Sequence, residues 1–155
     1  MSFKITGLAE DQFAELSSLT KAELANRNIH KITAECQPGY PCRVSLQDAE
    51  IGDTVYLLNY QHHDAASPYA ASHAIFVREG APQAELDDGE LPEVFADRPL
   101  SVRAFDKQGD MVTADLANMD TIKDVIAGML ALEDVNCLHV HNAKQGCFAA
   151  RVERA

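Results

Sequence analysis

The sequence contains no tryptophan, and aromatic residues of all kinds make up only 6% of its 155 positions. Basic residues are also scarce, since 13 lysines and arginines stand against 24 aspartates and glutamates and leave a formal net charge of −11. These basic residues are scattered along the chain and form no basic stripe. Because nucleic acids and anionic membrane surfaces are bound by clustered positive charge, we expect neither as a partner.

Long hydrophobic runs are missing as well. No apolar segment approaches the roughly 20 residues that a membrane-spanning helix needs, and residues 1–7 lack the apolar core of a signal peptide. The sequence therefore predicts a cytoplasmic protein whose four cysteines remain free thiols. With 46% hydrophobic residues, a chain of 155 residues is able to build one core, so we expect a single domain over residues 1–155.

Motifs that assign a cofactor or a reaction directly are absent from the sequence. It has no Cys-x-x-Cys, no His-Glu-x-x-His, no Gly-rich phosphate loop and no Gly-x-Ser-x-Gly. No cofactor is therefore assigned by motif, and the candidate chemistry has to come from the placement of individual side chains.

The order of the predicted elements favours an α+β fold with a mostly antiparallel sheet. Apolar spacing predicts an N-terminal helix from residue 8 and a second helix at residues 122–132, directly before a C-terminal β-hairpin. Helices and strands do not alternate along the chain, which argues against a parallel doubly wound sheet. β-Branched and aromatic residues predict the remaining strands at residues 54–60, 74–78, 100–105 and 111–116.

The predicted C-terminal hairpin, with strands at residues 137–141 and 147–154, is the most informative segment. Side chains alternate between the two faces of a strand, so this hairpin has one apolar and one polar face. The predicted apolar face carries Leu138, Val140, Phe148, Ala150 and Val152. The predicted polar face carries Cys137, His139, His141, Cys147, Arg151 and Glu153.

Residues 61–72 form a second candidate segment, a polar loop between two predicted strands. The segment contains His62, His63, Asp64 and Tyr69, and it is long for a strand-to-strand connection. Long ordered loops often carry function, so one prediction is that this loop contacts a ligand. The alternative is that its polar side chains only pin the loop through local hydrogen bonds.

Three long motifs run through the chain, at residues 40–46, at residues 62–72 continuing into 75–79, and at residues 139–148. Together they resemble a bacterial family known as domain of unknown function 1203. The resemblance covers most of the chain and implies a bacterial protein with no assigned reaction. The chain departs from the family pattern at His73 and Ala74, where members have Gly-Pro, and at Cys137, where an aromatic residue is usual. His73 and Cys137 are therefore left out of the predicted site.

We predict that a small ligand binds between the 61–72 segment and the polar face of the hairpin. Arg43 would pair with an anionic group on this ligand, and the imidazoles would hydrogen-bond to the ligand or coordinate it. The predicted lining residues are Arg43, His62, His63, Tyr69, His139, His141 and Cys147.

Two other functions compete with ligand binding. A metal-dependent or cysteine-based enzyme would use His139, His141 and Cys147, because imidazoles and a thiolate ligate zinc and a thiol beside a histidine is able to act as a nucleophile. Cys42 beside Arg43 is the alternative nucleophile. An interaction module would instead pair exposed strand edges between chains and form a homodimer.

Overall fold

A computed structural model describes residues 2–155, which form two antiparallel β-sheets. The strands in chain order are β1 (Phe3–Thr6), β2 (His30–Thr33), β3 (Thr54–His63), β4 (Ala71–Arg78), β5 (Leu100–Phe105), β6 (Met111–Ala117), β7 (Cys137–Asn142) and β8 (Phe148–Arg154). The α-helices are α1 (Lys21–Asn26) and α2 (Ile122–Leu130), and 3₁₀ helices cover Glu10–Ser18 and Glu93–Phe95. The α+β class with antiparallel sheets and a C-terminal hairpin is thus confirmed.

The larger sheet has five strands in the order β1-β8-β7-β5-β6. Helix α2 packs its apolar stripe against one face of this sheet, and the resulting cluster holds most of the buried apolar side chains. Removing this apolar surface from water is the main stabilising contribution to the fold. The helix side of the cluster consists of Ile122, Ile126, Met129 and Leu130, and the sheet side includes Leu100, Val102, Leu138, Val140, Ala150 and Val152.

Strand β7 lies in the middle of the larger sheet, between β8 and β5. All of its residues are buried, including His139 and His141, which are 1% and 0% exposed. A central strand pairs its backbone on both sides, so the two imidazoles are held on a rigid element. Their face of the sheet is covered by the second sheet and not by solvent.

The observed hairpin differs from the predicted one in the face of the sheet on which Phe148 lies. A register shift between Val140 and His141 pairs His141 with Phe148, while Val140 pairs with Ala150. Cross-strand partners share a face of the sheet, so the bulge moves Phe148 from the predicted apolar face to the face that carries His141. The assignment of Phe148 to the apolar face was wrong because alternation is counted along an uninterrupted strand.

The smaller sheet has the strand order β2-β3-β4. Its strands include part of the segment that was predicted as a loop. Residues 61–72 were predicted as a loop, but β3 continues to His63 and β4 begins at Ala71, so only residues 64–70 connect them. A register shift between Tyr60 and His63 interrupts the ladder. The bulge re-aims neighbouring side chains, and both His62 and His63 consequently approach the larger sheet.

The N-terminal helical segment is a 3₁₀ helix followed by a short α-helix. Apolar side chains recur at every third residue, at Phe13, Leu16 and Leu19, and this spacing matches the three residues per turn of a 3₁₀ helix. Helix α1 begins with a capping box between Thr20 and Glu23. Within residues 2–155, no helix combines the length and apolarity that crossing a membrane requires.

Candidate functional site

Five of the six histidines in the sequence lie in one cluster between the two sheets. His62 and His63 come from β3, His73 from β4, and His139 and His141 from β7. The ring centroid of His62 lies 4.8 Å from that of His73, 5.2 Å from that of His139 and 4.9 Å from that of His141. The cluster therefore depends on the packing of one sheet against the other.

Hydrogen bonds orient most of these rings. The Nδ1 atoms of His62 and His139 are 3.1 Å apart, so one of them carries the shared proton and donates it to the other. His141 Nδ1 lies 2.9 Å from the carbonyl oxygen of Gly146, and His63 Nε2 lies 2.8 Å from that of Gly109. A carbonyl oxygen only accepts, so each of these two nitrogens must carry a hydrogen.

Apolar surroundings keep the imidazoles of His62, His139 and His141 uncharged. Phe148 stacks on His62 with ring centroids 4.9 Å apart, and Phe105 packs against His139 at 5.0 Å. Burial, followed by the effect of neighbouring histidines, lowers the pKa of His62 to about 3 and that of His139 to about 2. Burial also lowers the pKa of His141 to about 4. These rings are neutral at pH 7 and present nitrogen lone pairs.

Three of the rings are able to hold a metal ion. His62, His73 and His141 each offer a ring nitrogen, and the three ligand atoms all lie within 4.8 Å of one another. Each residue also has one buried ring nitrogen with no hydrogen-bond partner among the described residues, namely His62 Nε2, His73 Nδ1 and His141 Nε2. Unpaired buried polar atoms are rare in native structures, so each of these needs an explanation.

A pocket of about 350 Å³ lies beside the histidine cluster and shares His73 with it. Its polar wall is formed by His73, Arg43, Arg98, Asn142, Gln145 and Cys147, and Leu57 and Phe76 contribute apolar surface. Asn142 is 5% exposed, and its Oδ1 atom has no hydrogen-bond partner in the described chain. The pocket thus combines apolar walls with a few converging polar groups, as small-molecule sites do.

Arg43 is the most unusual residue of this pocket because it is charged but only 2% exposed. Its Nε atom donates to the carbonyl oxygen of Phe148 at 2.7 Å, Nη1 donates to the carbonyl of Pro41, and Nη2 donates to Cys147 Sγ at 3.0 Å. No carboxylate in the described residues forms an ion pair with it. Burial accordingly lowers the pKa of Arg43.

The structure brings together most of the residues that the sequence predicted. His62, His63, His139 and His141 share the cluster, while Arg43 and Cys147 contact each other in the pocket. Tyr69 is different, since its side chain is 45% exposed and its backbone N–H donates to Ser67 Oγ within the 64–70 connection. No described contact joins Tyr69 to the cluster.

Sequence reasoning missed His73, Arg98 and Asn142. His73 was left out on the family pattern, although it alternates with Ile75 and Val77, which are buried. This period-two pattern was a signal that His73 faces inward. Arg98 and Asn142 had no such signal, because only the tertiary fold places them at the pocket.

These observations define the class of the protein: it is an α+β protein with two antiparallel sheets and a buried histidine cluster. A family model described as "Protein of unknown function (DUF1203)" matches residues 39–154. This range includes the histidine cluster and the neighbouring pocket, and the chain belongs to this family. Neither a curated protein nor a solved structure matches the chain.

Proposed function

We propose that the protein binds a small anionic molecule in the pocket beside the histidine cluster. The observation that carries this proposal is Arg43, a buried guanidinium at the pocket wall that forms no ion pair with a carboxylate of residues 2–155. Burying a charge is costly unless an opposite charge or several hydrogen bonds compensate it. The three hydrogen bonds of Arg43 go to two carbonyl oxygens and a cysteine sulfur, and neither carbonyl balances the positive charge. A carboxylate or phosphate group in the pocket would supply an opposite charge.

The remaining wall narrows the chemistry of the ligand. Arg98 also lines the pocket, and its Nη2 atom donates to Asp48 Oδ1 at 2.7 Å, so its charge is partly compensated. The whole chain carries a formal net charge of −11, so a pocket lined by two guanidiniums stands out as a local positive region. The unpartnered Asn142 Oδ1 calls for a donor, which favours an anion that also carries an O–H or N–H group.

Thermal unfolding of the EDTA-treated protein tests this proposal. The probes are sodium phosphate, acetate, lactate and malate, each compared with sodium chloride at equal ionic strength. At about 100 times its dissociation constant, a ligand stabilises the folded chain by about 2.7 kcal/mol. That energy corresponds to a rise of roughly 5–10 °C in the melting temperature of a chain of this size.

Two matched substitutions locate the effect. Ala74→Phe places a ring at the pocket edge and should abolish the rise, while Ala114→Phe introduces the same ring at an exposed position of β6 and should preserve it. The proposal is overturned if no anion stabilises the protein more than chloride does. It is equally overturned if both variants respond like the original chain.

The rival functions remain predictions with tests of their own. A cysteine-based enzyme requires Cys147 to react with iodoacetamide faster than the exposed Cys36 does. A homodimer requires size-exclusion chromatography to show about twice the mass of one chain, and a monomer at every protein concentration would count against it. We also propose a cytoplasmic location, which the free state of all four cysteines supports.

A further inference from the structure

We infer that His62, His73 and His141 form a binding site for a divalent late transition metal, with zinc as the reference ion. The three side chains come from β3, β4 and β7, and their ligand atoms lie within 4.8 Å of one another. This inference does not depend on the proposed anion, because metal binding is measured without any organic ligand.

The three ligand atoms lie near enough to converge on one ion. Nitrogens that share one tetrahedral zinc lie about 3.3 Å apart, given Zn–N bonds of about 2.0–2.1 Å. The farthest pair of ligand atoms therefore has to approach by at most about 1.5 Å, since none is separated by more than 4.8 Å. Side-chain rotation of His73, which is the least buried of the three, supplies much of this movement without displacing a strand.

The unpartnered nitrogens point to an occupant. His62 Nε2, His73 Nδ1 and His141 Nε2 are buried and lack any hydrogen-bond partner among residues 2–155. Leaving a buried polar atom unsatisfied costs about 1–3 kcal/mol, so three such atoms in one cluster are a substantial destabilisation. A shared metal ion satisfies all three nitrogens at once, whereas a buried water is the competing occupant.

In two of the rings, the nitrogen that would not bind the metal already forms a hydrogen bond, as it does in known metal sites. His141 Nδ1 donates to the carbonyl oxygen of Gly146, which leaves a lone pair on Nε2 of the neutral ring. His62 reaches the same state when its Nδ1 donates to His139 Nδ1, 3.1 Å away. Such outer hydrogen bonds fix the tautomer of metal-binding histidines, which makes His139 and Gly146 positioning groups.

The donor set selects the class of metal. Three neutral imidazoles suit zinc, copper, iron and nickel, while calcium and magnesium require oxygen ligands. Three protein ligands also leave a fourth position open, as in zinc sites that bind water or a substrate. Arg103 adds positive potential at His62, His73 and His141. That potential opposes a bound dication, so an anion at the open position would be needed to balance the charge.

Metal titration of the EDTA-treated, tag-free chain tests the inference. Zinc binding followed by calorimetry should give one ion per chain with a dissociation constant below about 1 μM, in line with ordinary structural and catalytic zinc sites. Cobalt substituted for zinc should give the visible absorption of a tetrahedral ion without a thiolate-to-cobalt charge-transfer band. That spectrum separates the histidine cluster from any site made by the cysteines.

Substitutions decide which residues bind the ion. His73→Ala should weaken zinc binding at least 100-fold, and His139→Ala should weaken it about 10–100-fold through loss of the outer hydrogen bond. His30→Ala, in the exposed strand β2, is the control and should bind as the original chain does. His73 is only partly buried, so its variant is expected to fold, and circular dichroism verifies this.

Three results would overturn the inference. The first is the absence of stoichiometric zinc binding, which would leave water as the occupant of the cluster. The second is unchanged affinity in a folded His73→Ala chain. The third is a cobalt spectrum dominated by thiolate charge transfer.

Discussion

The Nδ1 atoms of His62 and His139 lie 3.1 Å apart and connect the two β-sheets of the molecule. The residues are 77 positions apart in sequence, and each belongs to a strand that its own sheet holds in place. Between two neutral imidazoles this contact is a hydrogen bond with one shared proton. It ties the sheet that supplies His62 and His73 to the sheet that supplies His141.

This contact predicts energetic coupling between the two histidines. A double-mutant cycle of His62→Ala and His139→Ala should give an interaction free energy of about 0.5–1.5 kcal/mol, measured by urea unfolding of the metal-free chain. The cycle of His30→Ala with His139→Ala is the control, and its effects should add within about 0.5 kcal/mol. Additive effects of His62 and His139 would contradict the hydrogen bond.

The buried histidines predict loss of stability in mild acid. The pKa of His139 falls to about 2 and that of His141 to about 4, whereas an unfolded histidine titrates near about 6.5. Below that value the unfolded chain binds more protons than the folded chain, so the free energy of unfolding decreases as the pH falls. Above it, this contribution to stability is fully present. Each buried histidine adds a slope of up to about 1.4 kcal/mol per pH unit.

Urea unfolding of the metal-free protein between about pH 7.5 and 5.5 measures this slope. His139→Phe removes one buried titrating group and should reduce the slope, while His30→Phe changes an exposed histidine and should leave it unaltered. Equal slopes in the original chain and in His139→Phe would refute the prediction.

Adding a single methyl group at Gly109 is predicted to lower the stability of the fold strongly. The φ of Gly109 is +84°, and a Cβ atom there would lie 2.3 Å from the Ala65 Cβ and 3.2 Å from His63 Nε2. Gly109→Ala should therefore combine backbone strain with a steric clash and disturb the ring of His63. Gly89 has a φ of +78° with nothing within 4 Å, so Gly89→Ala isolates the strain alone.

Chemical denaturation should show Gly109→Ala to be at least about 1 kcal/mol less stable than Gly89→Ala, which is the cost of a typical clash in a packed region. Similar losses in the two variants would mean that the 64–70 connection moves aside without cost.

Breaking the ion pair between Asp48 and Arg98 at the pocket is predicted to lower the stability of the folded chain strongly. The paired atoms are 2.7 Å apart, and the Asp48 side chain is only 5% exposed. Arg98→Met leaves a buried carboxylate unpaired and should cost about 3 kcal/mol in a denaturation experiment. Asp48→Asn should restore part of this loss in the double variant.

An exposed ion pair provides the comparison. Arg27 and Glu15 are 3.0 Å apart, with side chains 47% and 61% exposed. Solvent screens such a pair, so Arg27→Met should cost less than about 1 kcal/mol. Comparable losses for Arg98→Met and Arg27→Met would show that Asp48 is better solvated than its burial indicates.

Local sequence patterns predicted the strands well but failed at two bulges, one in β3 and one between β7 and β8. The β-branched and aromatic residues of β3, β5 and β6 identified these strands, and the antiparallel hairpin at the C-terminus followed from its turn. Phe148 was placed on the wrong face, because the bulge opposite His141 is set by packing and not by the residue pattern. Residues 61–63 give no strand signal, because polar residues in a paired strand resemble those of a connection.

The sequence by itself determined that His139 and His141 share one face of a strand, since side chains alternate in any extended chain. It could not determine that His62 and His73 lie across from them, because contacts between distant segments depend on how two complete sheets pack. Tertiary structure alone decided which histidine nitrogens are buried without a hydrogen-bond partner in residues 2–155, and that no carboxylate of those residues pairs with Arg43. Both features result from long-range packing, and they are the reason why this region is a candidate site for a metal and an anion.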